Sequence, residues 1–248
     1  MNNGATDFGY KNVTPGEKSR LVNQVFTSVA ARYDLMNDLM SFGAHRLWKR
    51  YAVHISNTRK GDRVLDVAGG TGDMATLFNT RVGDTGEVVL CDINAEMLQA
   101  GRDNMYNHGK CSGITCVQAD AQSLPFVENY FDCVNISFGL RNVTDKMQAL
   151  KSMYGTLKFG KVIVILEFSR VVLPLLVRLY DFYSFNCIPA LGKFIANDEA
   201  SYRYLVESIR MHPDQETLKS MMQEAGFGRV DYYNLSGGIV ALHIGYKL

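Results

Sequence analysis

An aspartate stands near the end of an apolar run that turns into glycines: Val64-Leu65-Asp66-Val67-Ala68-Gly69-Gly70-Thr71-Gly72-Asp73. Glycine lets a backbone approach a ligand closely, and a helix opening straight after such a turn offers N–H groups that no helical carbonyl takes. Alone, a glycine-rich turn is weak evidence, because tight turns need glycine anyway. A second acidic position strengthens it. Asp92 closes the next apolar run, twenty residues beyond Gly72, where a carboxylate can accept hydrogen bonds from both hydroxyls of a ribose. Asp120-Ala121 follow a third run and Ser137 ends a fourth. Four successive strand ends would line one crevice at the carboxyl edge of a sheet, where ligands of open α/β sheets bind. The ordered set predicts a site for a nucleoside-containing cofactor.

A dinucleotide site would favour a spaced G-x-G-x-x-G, so that the helix end receives a pyrophosphate. The order here is Asp66-x-Ala68-x-Gly70-Thr71-Gly72. A negative Asp66 sits badly beside pyrophosphate but suits a ligand carrying an ammonium and a sulfonium. S-adenosylmethionine carries both, plus a ribose for Asp92. The expectation is therefore a methyl donor rather than NAD.

These side chains need an alternation of strands and helices to position them. Strands are expected at Arg63–Val67, Glu87–Asp92, Ile114–Gln118, Phe131–Ser137 and Val162–Phe168, with two more at Arg229–Leu235 and Ile239–Tyr246 around Ser236-Gly237-Gly238. Helices are expected at Gly72–Thr80, Ala95–Asn107 with Asn94 as N-cap, Thr144–Leu157 with Thr144 as cap, and Pro213–Ala225 ended by Gly226. Val162–Phe168 is almost purely apolar, as a strand buried on both faces must be, so the sheet should be mostly parallel with helices on both sides. This predicts an α/β fold with a doubly wound, Rossmann-like sheet of seven strands in a single domain spanning residues 61–248. Ahead of it lies an N-terminal helical segment, residues 1–60, with helical patterns at Lys18–Tyr33 and Leu47–Ile55 and a loose polar start. That segment has nine Lys/Arg against four Asp/Glu, read as a solvated helical face, with attraction to an anionic membrane surface as the sharper alternative. A helical insertion at about 171–212 interrupts the alternation with many aromatic residues, among them Tyr180, Phe182, Tyr183, Phe185, Phe194, Tyr202 and Tyr204. It is expected to act as a lid over an apolar substrate, with simple core packing, the default for aromatics at helical spacing, as the competing reading.

Composition narrows the function classes. The 248 residues have a formal net charge of +1, so no global field recruits nucleic acid. The longest strongly apolar run, Val171–Val177, is too short to span a bilayer, and the first ten residues lack the order of a secretory signal. Five cysteines without a C-x-x-C pair argue against a disulfide scaffold and against a metal site, and favour the reducing cytoplasm.

Beyond the cofactor motif, several stretches are similar to the ubiquinone/menaquinone biosynthesis C-methyltransferase family within the class I S-adenosylmethionine-dependent methyltransferases. They are Ser28-Val-Ala-Ala-Arg-Tyr-Asp34, Asn37-Asp-Leu-Met-Ser-Phe-Gly43, His45-Arg-Leu-Trp-Lys49, Ser137-Phe-Gly-Leu-Arg-Asn-Val-Thr-Asp145, and Ser201-Tyr-Arg-Tyr-Leu205 with Glu207-Ser-Ile-Arg210. The resemblance covers almost the whole chain after Lys18. It implies methylation of a ring carbon on a prenylated quinol, demethylmenaquinol or 2-polyprenyl-6-methoxy-1,4-benzoquinol, with cofactor contacts at Thr71, Asp92, Asp120, Ala121 and Ser137. It also implies a lipid-soluble substrate, peripheral membrane contact at the inner face, quinone-biosynthesis protein partners and room for a homodimer. Two departures stand out: the family's Leu-Lys-Pro-Gly-Gly is Leu157-Lys-Phe-Gly-Lys161 here, and Gly155 falls inside an expected helix.

Methyl transfer from a sulfonium is an in-line displacement, so placement of the acceptor carbon comes first. A cation near the fourth strand end would favour the nucleophilic phenolate, and Arg141 is the candidate, with an i+4 ion pair to Asp145 as the competing role. Tyr202, His212 and Asp198 are further candidates for proton removal or hydroxyl placement. Alternatives at this stage are an oxidoreductase of similar architecture, a methyltransferase-fold assembly subunit without turnover, and a methyltransferase of another small aromatic substrate or of RNA.

Overall fold

The computed structural model describes residues 4–30, 37–38, 41–107, 109, 112–191 and 198–248. Residues 31–34 of the Ser28–Asp34 stretch, residues 39 and 40 within the Asn37–Gly43 stretch, Cys111 and Phe194 lie outside those residues.

Strands β3 (Arg63–Val67), β4 (Glu87–Asp92), β5 (Ile114–Gln118), β6 (Phe131–Ser137), β7 (Leu157–Phe168), β8 (Arg229–Leu235) and β9 (Val240–Tyr246) form one sheet in the order β5-β4-β3-β6-β7-β9-β8. The first five are parallel, and β9 runs antiparallel to both β7 and β8. From β3 the chain winds outward through β4 and β5, then returns to the other side for β6. A topological switch therefore lies between β3 and β6, and the crevice opens outside their carboxyl ends.

Two apolar layers cover the sheet. On one side α2 (His45–Ile55), α3 (Asp73–Val82) and part of α4 (Ala95–Asn107) contribute Trp48, Ala52, Phe78 and Leu98 to a core with Val64, Val164 and Leu242. On the other, α5 (Lys146–Thr156) and α8 (Gln215–Glu224) contribute Leu150, Met153, Leu218 and Met222 against Leu65, Val134 and Ile163. Full burial of a Leu or Phe side chain stabilises by about 1.5–3 kcal/mol, so these layers hold the strand tips in place.

Several boundaries differ from expectation for local reasons. The start is not loose: β1 (Thr6–Phe8) pairs with β2 (Lys11–Val13), and Thr14 and Glu17 form a reciprocal capping box that starts α1 (Pro15–Val29) with Pro15 in its first turn. Asn94 does cap α4, accepting from the Met97 N–H at 2.8 Å. Asp145, not Thr144, caps α5, because its carboxylate reaches the Gln148 N–H at 2.9 Å. Strand β7 begins five residues early at Leu157, which pairs with Phe131 across an irregularity in register. Gly155 has open space where a Cβ would stand, so it serves no packing need. In the insertion, α6 (Pro174–Phe182) runs on through one π-helical turn, Tyr183–Cys187, to Ile188–Leu191, and α7 (Glu199–Met211) follows.

Candidate active site

The crevice holds a cavity of about 840 Å³ including its open mouth. Its floor is made by the residues that follow four strands: Ala68 and Gly70 after β3, Asp92 to Asn94 at β4, Ala119 to Gln122 after β5, and Phe138, Gly139 and Asn142 to Thr144 after β6. This is the arrangement predicted for Gly70, Asp92, Asp120 and Ala121.

Asp92 is the best-anchored of them. One carboxylate oxygen accepts from the Gly70 N–H and the other from the Asn94 N–H, each at 2.9 Å. Burial pushes its carboxyl up, and these backbone N–H bonds pull it down. A carboxylate has roughly four acceptor positions, so two remain for a ligand diol. Asp120 turns one oxygen to the Gln122 N–H at 2.9 Å and both to the Gln122 side-chain amide.

The glycine turn is shaped by contact as well as by conformation. Gly70 and Gly72 sit at φ 55° and 82°, the left-handed region that L-residues avoid. A Cβ on Gly69 would lie 2.3 Å from Leu90 Cδ1 and 2.6 Å from Asp66 Oδ2. Asp66 is therefore behind the turn rather than in the cavity. It is fully buried, with Oδ1 accepting from Asn135 Nδ2 at 2.7 Å. Burial pushes its carboxyl up to about 7, against the Asn135 bond and the Lys49 charge. This corrects the expectation of an anion facing a cationic ligand: Asp66 acts on the turn from below. Ser137 joins the same group, donating to Asn135 Oδ1 at 3.2 Å. Thr71 is buried and Gly72 opens α3; with Asp66 and Ser137, neither lines the cavity.

Two strained residues line the β3 and β6 exits. Ala68 and Phe138 have φ of 50° and 57°, which costs a non-glycine residue on the order of 1–3 kcal/mol. They are held because Gly139 lets the two turns meet: a Cβ there would stand 2.6 Å from Ala68 Cβ. Arg141 supports the same turn. Its Nη1 donates to the Phe138 carbonyl and, at 2.6 Å, to Glu167 Oε1, while Glu167 Oε2 accepts the Arg141 N–H. Arg141 is thus paired with Glu167 of β7, not with Asp145, and it lies behind the lining residues. Both partners are almost fully buried.

The wall over the cavity is a surprise relative to the sequence. Ser19, Val22, Asn23 and Phe26 of α1 line it, whereas no described residue of the 171–212 insertion does. Asn94 Nδ2 ties α1 down by donating to Asn23 Oδ1 at 2.6 Å and Thr27 Oγ1 at 3.0 Å. Helix α7 of the expected cover instead backs the site. In α7, Tyr204 stacks on Phe8 with ring centroids 4.1 Å apart and donates to Asn142 Oδ1 at 3.0 Å. Tyr202 is fully buried in the core with Trp48 and Phe138. His212 caps the carboxyl end of α7; burial, then the charges of Lys146 and Arg141, hold its imidazole well below the usual range. Asp198 is the N-cap of α7 and also accepts from Ser28 Oγ at 2.9 Å. The α1 wall could have been found from the polar Ser19 and Asn23 set among Val22 and Phe26, a stripe that a purely core-facing helix would not carry.

The family model described as the ubiE/COQ5 methyltransferase family matches residues 13–247. A Proteus mirabilis protein named ubiquinone/menaquinone biosynthesis C-methyltransferase UbiE is 58% identical, the match covering 98% of this chain and 96% of its own. A Haemophilus ducreyi protein of the same name is 59% identical, over 99% and 95%. Among solved structures, a SAM-dependent methyltransferase from Aquifex aeolicus superposes with a TM-score of 0.58 at 13% identity, covering 95% of this chain and all of that one. Another, from Thermotoga maritima, gives 0.63 at 19% identity over 91% and 99%. The solved structures speak for the shared fold alone.

Proposed function

This chain belongs to the ubiE/COQ5 methyltransferase family, and from that premise we propose that it methylates a ring carbon of a prenylated quinol in menaquinone or ubiquinone biosynthesis, using S-adenosylmethionine. The reaction class, C-methylation, is supported by near-full-length identity to relatives named for it. That identity, joined to a cavity whose floor is made by four strand exits, carries the reading.

The residues present fit the cofactor. A Cβ on Gly70 would stand 2.9 Å from the cavity-lining Met97, so the glycine keeps that part of the floor open, and Asp92 keeps two acceptor positions toward the cavity. When bound, S-adenosylmethionine supplies an electrophilic methyl group on a cationic sulfur. Asp92 would hold the ribose hydroxyls, Asp120 and Ala121 the adenine end, and the Gly70 backbone the middle of the ligand. Asp66, Thr71, Gly72 and Ser137 contribute by shaping the turn.

On the acceptor side, Asn142 lines the cavity while Tyr204 donates to its Oδ1, which fixes the amide and leaves Nδ2 a buried donor without a partner among the described residues. We assign that donor to the quinol oxygen ortho to the attacked carbon. Arg141 positions the Phe138 turn, its charge balanced by Glu167, and a guanidinium, which stays protonated, does not act as a base. After attack the ring carbon carries both methyl and hydrogen, and loss of that proton restores aromaticity. Such a C–H is acidic, so a weak base suffices. Water at the cavity mouth is the proton acceptor in this scheme, because His212 is buried at the carboxyl end of α7, outside the cavity lining, and burial beside Lys146 and Arg141 keeps it neutral. Tyr202 supports the aromatic core.

The test is transfer of labelled methyl from S-adenosylmethionine to reduced demethylmenaquinone, with the oxidised quinone as control. Label should enter the reduced ring alone, since the quinone is not nucleophilic. Absence of label in the reduced ring would sink the substrate assignment.

A further inference from the structure

Near the start of the chain lies a hairpin too small to hold itself together. Strands β1 and β2 have three residues each and are joined by Gly9 and Tyr10, and a lone two-stranded hairpin is at best marginally stable in water. Its order comes from what it touches. On one side is α1, the wall over the cavity: the fully buried Lys18 pairs its amine with Asp7 Oδ2 at 3.4 Å. On the other is α7, where Glu207 Oε2 accepts the Tyr10 N–H at 3.2 Å. Gly9 permits that contact, since it sits at φ 57° and a Cβ there would stand 2.2 Å from the same oxygen.

Phe8 stands between these two anchors. Its ring lies on that of Tyr204 with the planes only 16° apart. Tyr204 is buried, and burial holds its phenol above the usual range, so the hydroxyl remains a donor. That donor goes to Asn142 Oδ1, and Asn142 closes the short helical turn Leu140–Asn142 at the cavity wall. A phenol ring turns about two side-chain bonds; the face of Phe8 fixes its plane and the Asn142 bond fixes its tip. The hairpin therefore reaches the cavity in two steps, ring to ring and then hydroxyl to amide.

We infer that Phe8 is a positioning residue for the methyl acceptor: the N-terminal hairpin sets the Tyr204 ring, and Tyr204 holds the Asn142 amide that meets the quinol oxygen. The identity of the acceptor rests on the proposed function; the mechanical link from Phe8 to Asn142 does not. Asp7 on Lys18 and Tyr10 on Glu207 keep the hairpin in place between α1 and α7. Asp92 is anchored separately, by the Gly70 and Asn94 N–H groups, so cofactor affinity does not depend on Phe8.

The experiment compares Phe8→Ala, Phe8→Leu and Phe8→Tyr in the full chain. Three quantities are measured: methyl transfer to a short-tailed demethylmenaquinol, calorimetric binding of S-adenosylhomocysteine, and amide hydrogen exchange of the Gly139–Thr144 turn. A stacked aromatic pair is worth a factor of about 2–12 beyond its buried area. Phe8→Ala and Phe8→Leu should therefore lower quinol kcat/KM roughly fivefold and speed exchange of the turn, with cofactor affinity held within about twofold. Unchanged cofactor affinity also shows that both fold. Phe8→Tyr keeps the ring and should match wild type throughout. In an Asn142→Ala background, Phe8→Ala should cost nothing further. An equal loss in both backgrounds, a parallel loss of cofactor affinity, or Phe8→Leu as active as wild type would reduce Phe8 to filler and overturn the inference. Unchanged quinol kinetics in Phe8→Ala would overturn it as well. If wild type transfers no methyl to the quinol, the proposed function fails and exchange alone decides the link: a faster turn in Phe8→Ala upholds it, and an unchanged turn refutes it.

Discussion

Replacing Asp92 with Asn changes little in volume but much in hydrogen bonding. Both carboxylate oxygens already accept from backbone N–H groups, those of Gly70 and Asn94, at 2.9 Å. An amide keeps one acceptor oxygen and turns an NH2 donor toward one of those N–H groups. It also removes at least one charge-assisted bond to a ribose hydroxyl, at about 1.5–3 kcal/mol. Cofactor affinity should therefore fall by roughly 10- to 150-fold. Isothermal titration should find the same loss for S-adenosylmethionine and S-adenosylhomocysteine, because the contact is to the sugar that both share. The maximal rate at saturating cofactor should stay within a few-fold, since Asp92 does not touch the reacting atoms. A loss below about threefold in correctly folded protein would refute the ribose contact. A much larger loss for the sulfonium compound would move the carboxylate to the charged sulfur instead.

Asn23→Ala removes the acceptor that Asn94 uses to hold α1 over the cavity; the cofactor KM should rise about fivefold, the effect of about 1 kcal/mol, and steady-state kinetics with an unchanged KM would show that α1 is not the cover. Gly139→Ala puts a Cβ 2.6 Å from Ala68 Cβ between two strained turns; overpacking of about 1–3 kcal/mol should lower Tm by roughly 2–10 °C, and scanning calorimetry with an unchanged Tm would contradict the packing. Burial pushes the His243 imidazole down to about 4, with its Nε2 donating to the Gln215 carbonyl. Its contribution is intact above the unfolded value near 6.5 and is lost as pH falls from there toward 4, because the unfolded chain takes up the proton first. Urea unfolding should show roughly 2 kcal/mol lost between pH 6.5 and 5 from this group, and His243→Gln should flatten that slope; identical slopes would refute the assignment.

The sheet was legible because its strands are short, apolar and bounded by glycine or polar turns, and Asp92 and Asp120 were legible because they end such strands. Asp66 was misread for a physical reason. A carboxylate next to a ligand turn and one buried beneath it have the same sequence, and what separates them is Gly69, whose missing Cβ lets the turn settle onto Asp66. Arg141 shows the limit of local spacing: Asp145 stands at i+4, yet the ion pair goes to Glu167, brought alongside by the β6–β7 pairing. The role of α1 was obscured because its cavity wall mixes polar and apolar side chains, which reads as an ordinary amphipathic surface until Asn94 is seen to grip it. Thr14 and Glu17 did carry a local signal, the capping box, that marks an ordered start to the chain.

The central claim is that a sulfonium-bearing nucleoside lies along the strand exits with its sugar on one aspartate. A crystal structure with S-adenosylhomocysteine tests it most directly. The account predicts ligand density between α1 and the β3, β4, β5 and β6 exits, with both ribose hydroxyls within hydrogen-bonding distance of Asp92. Ordered ligand elsewhere on the protein, or a ribose turned away from Asp92 within this cavity, would contradict it.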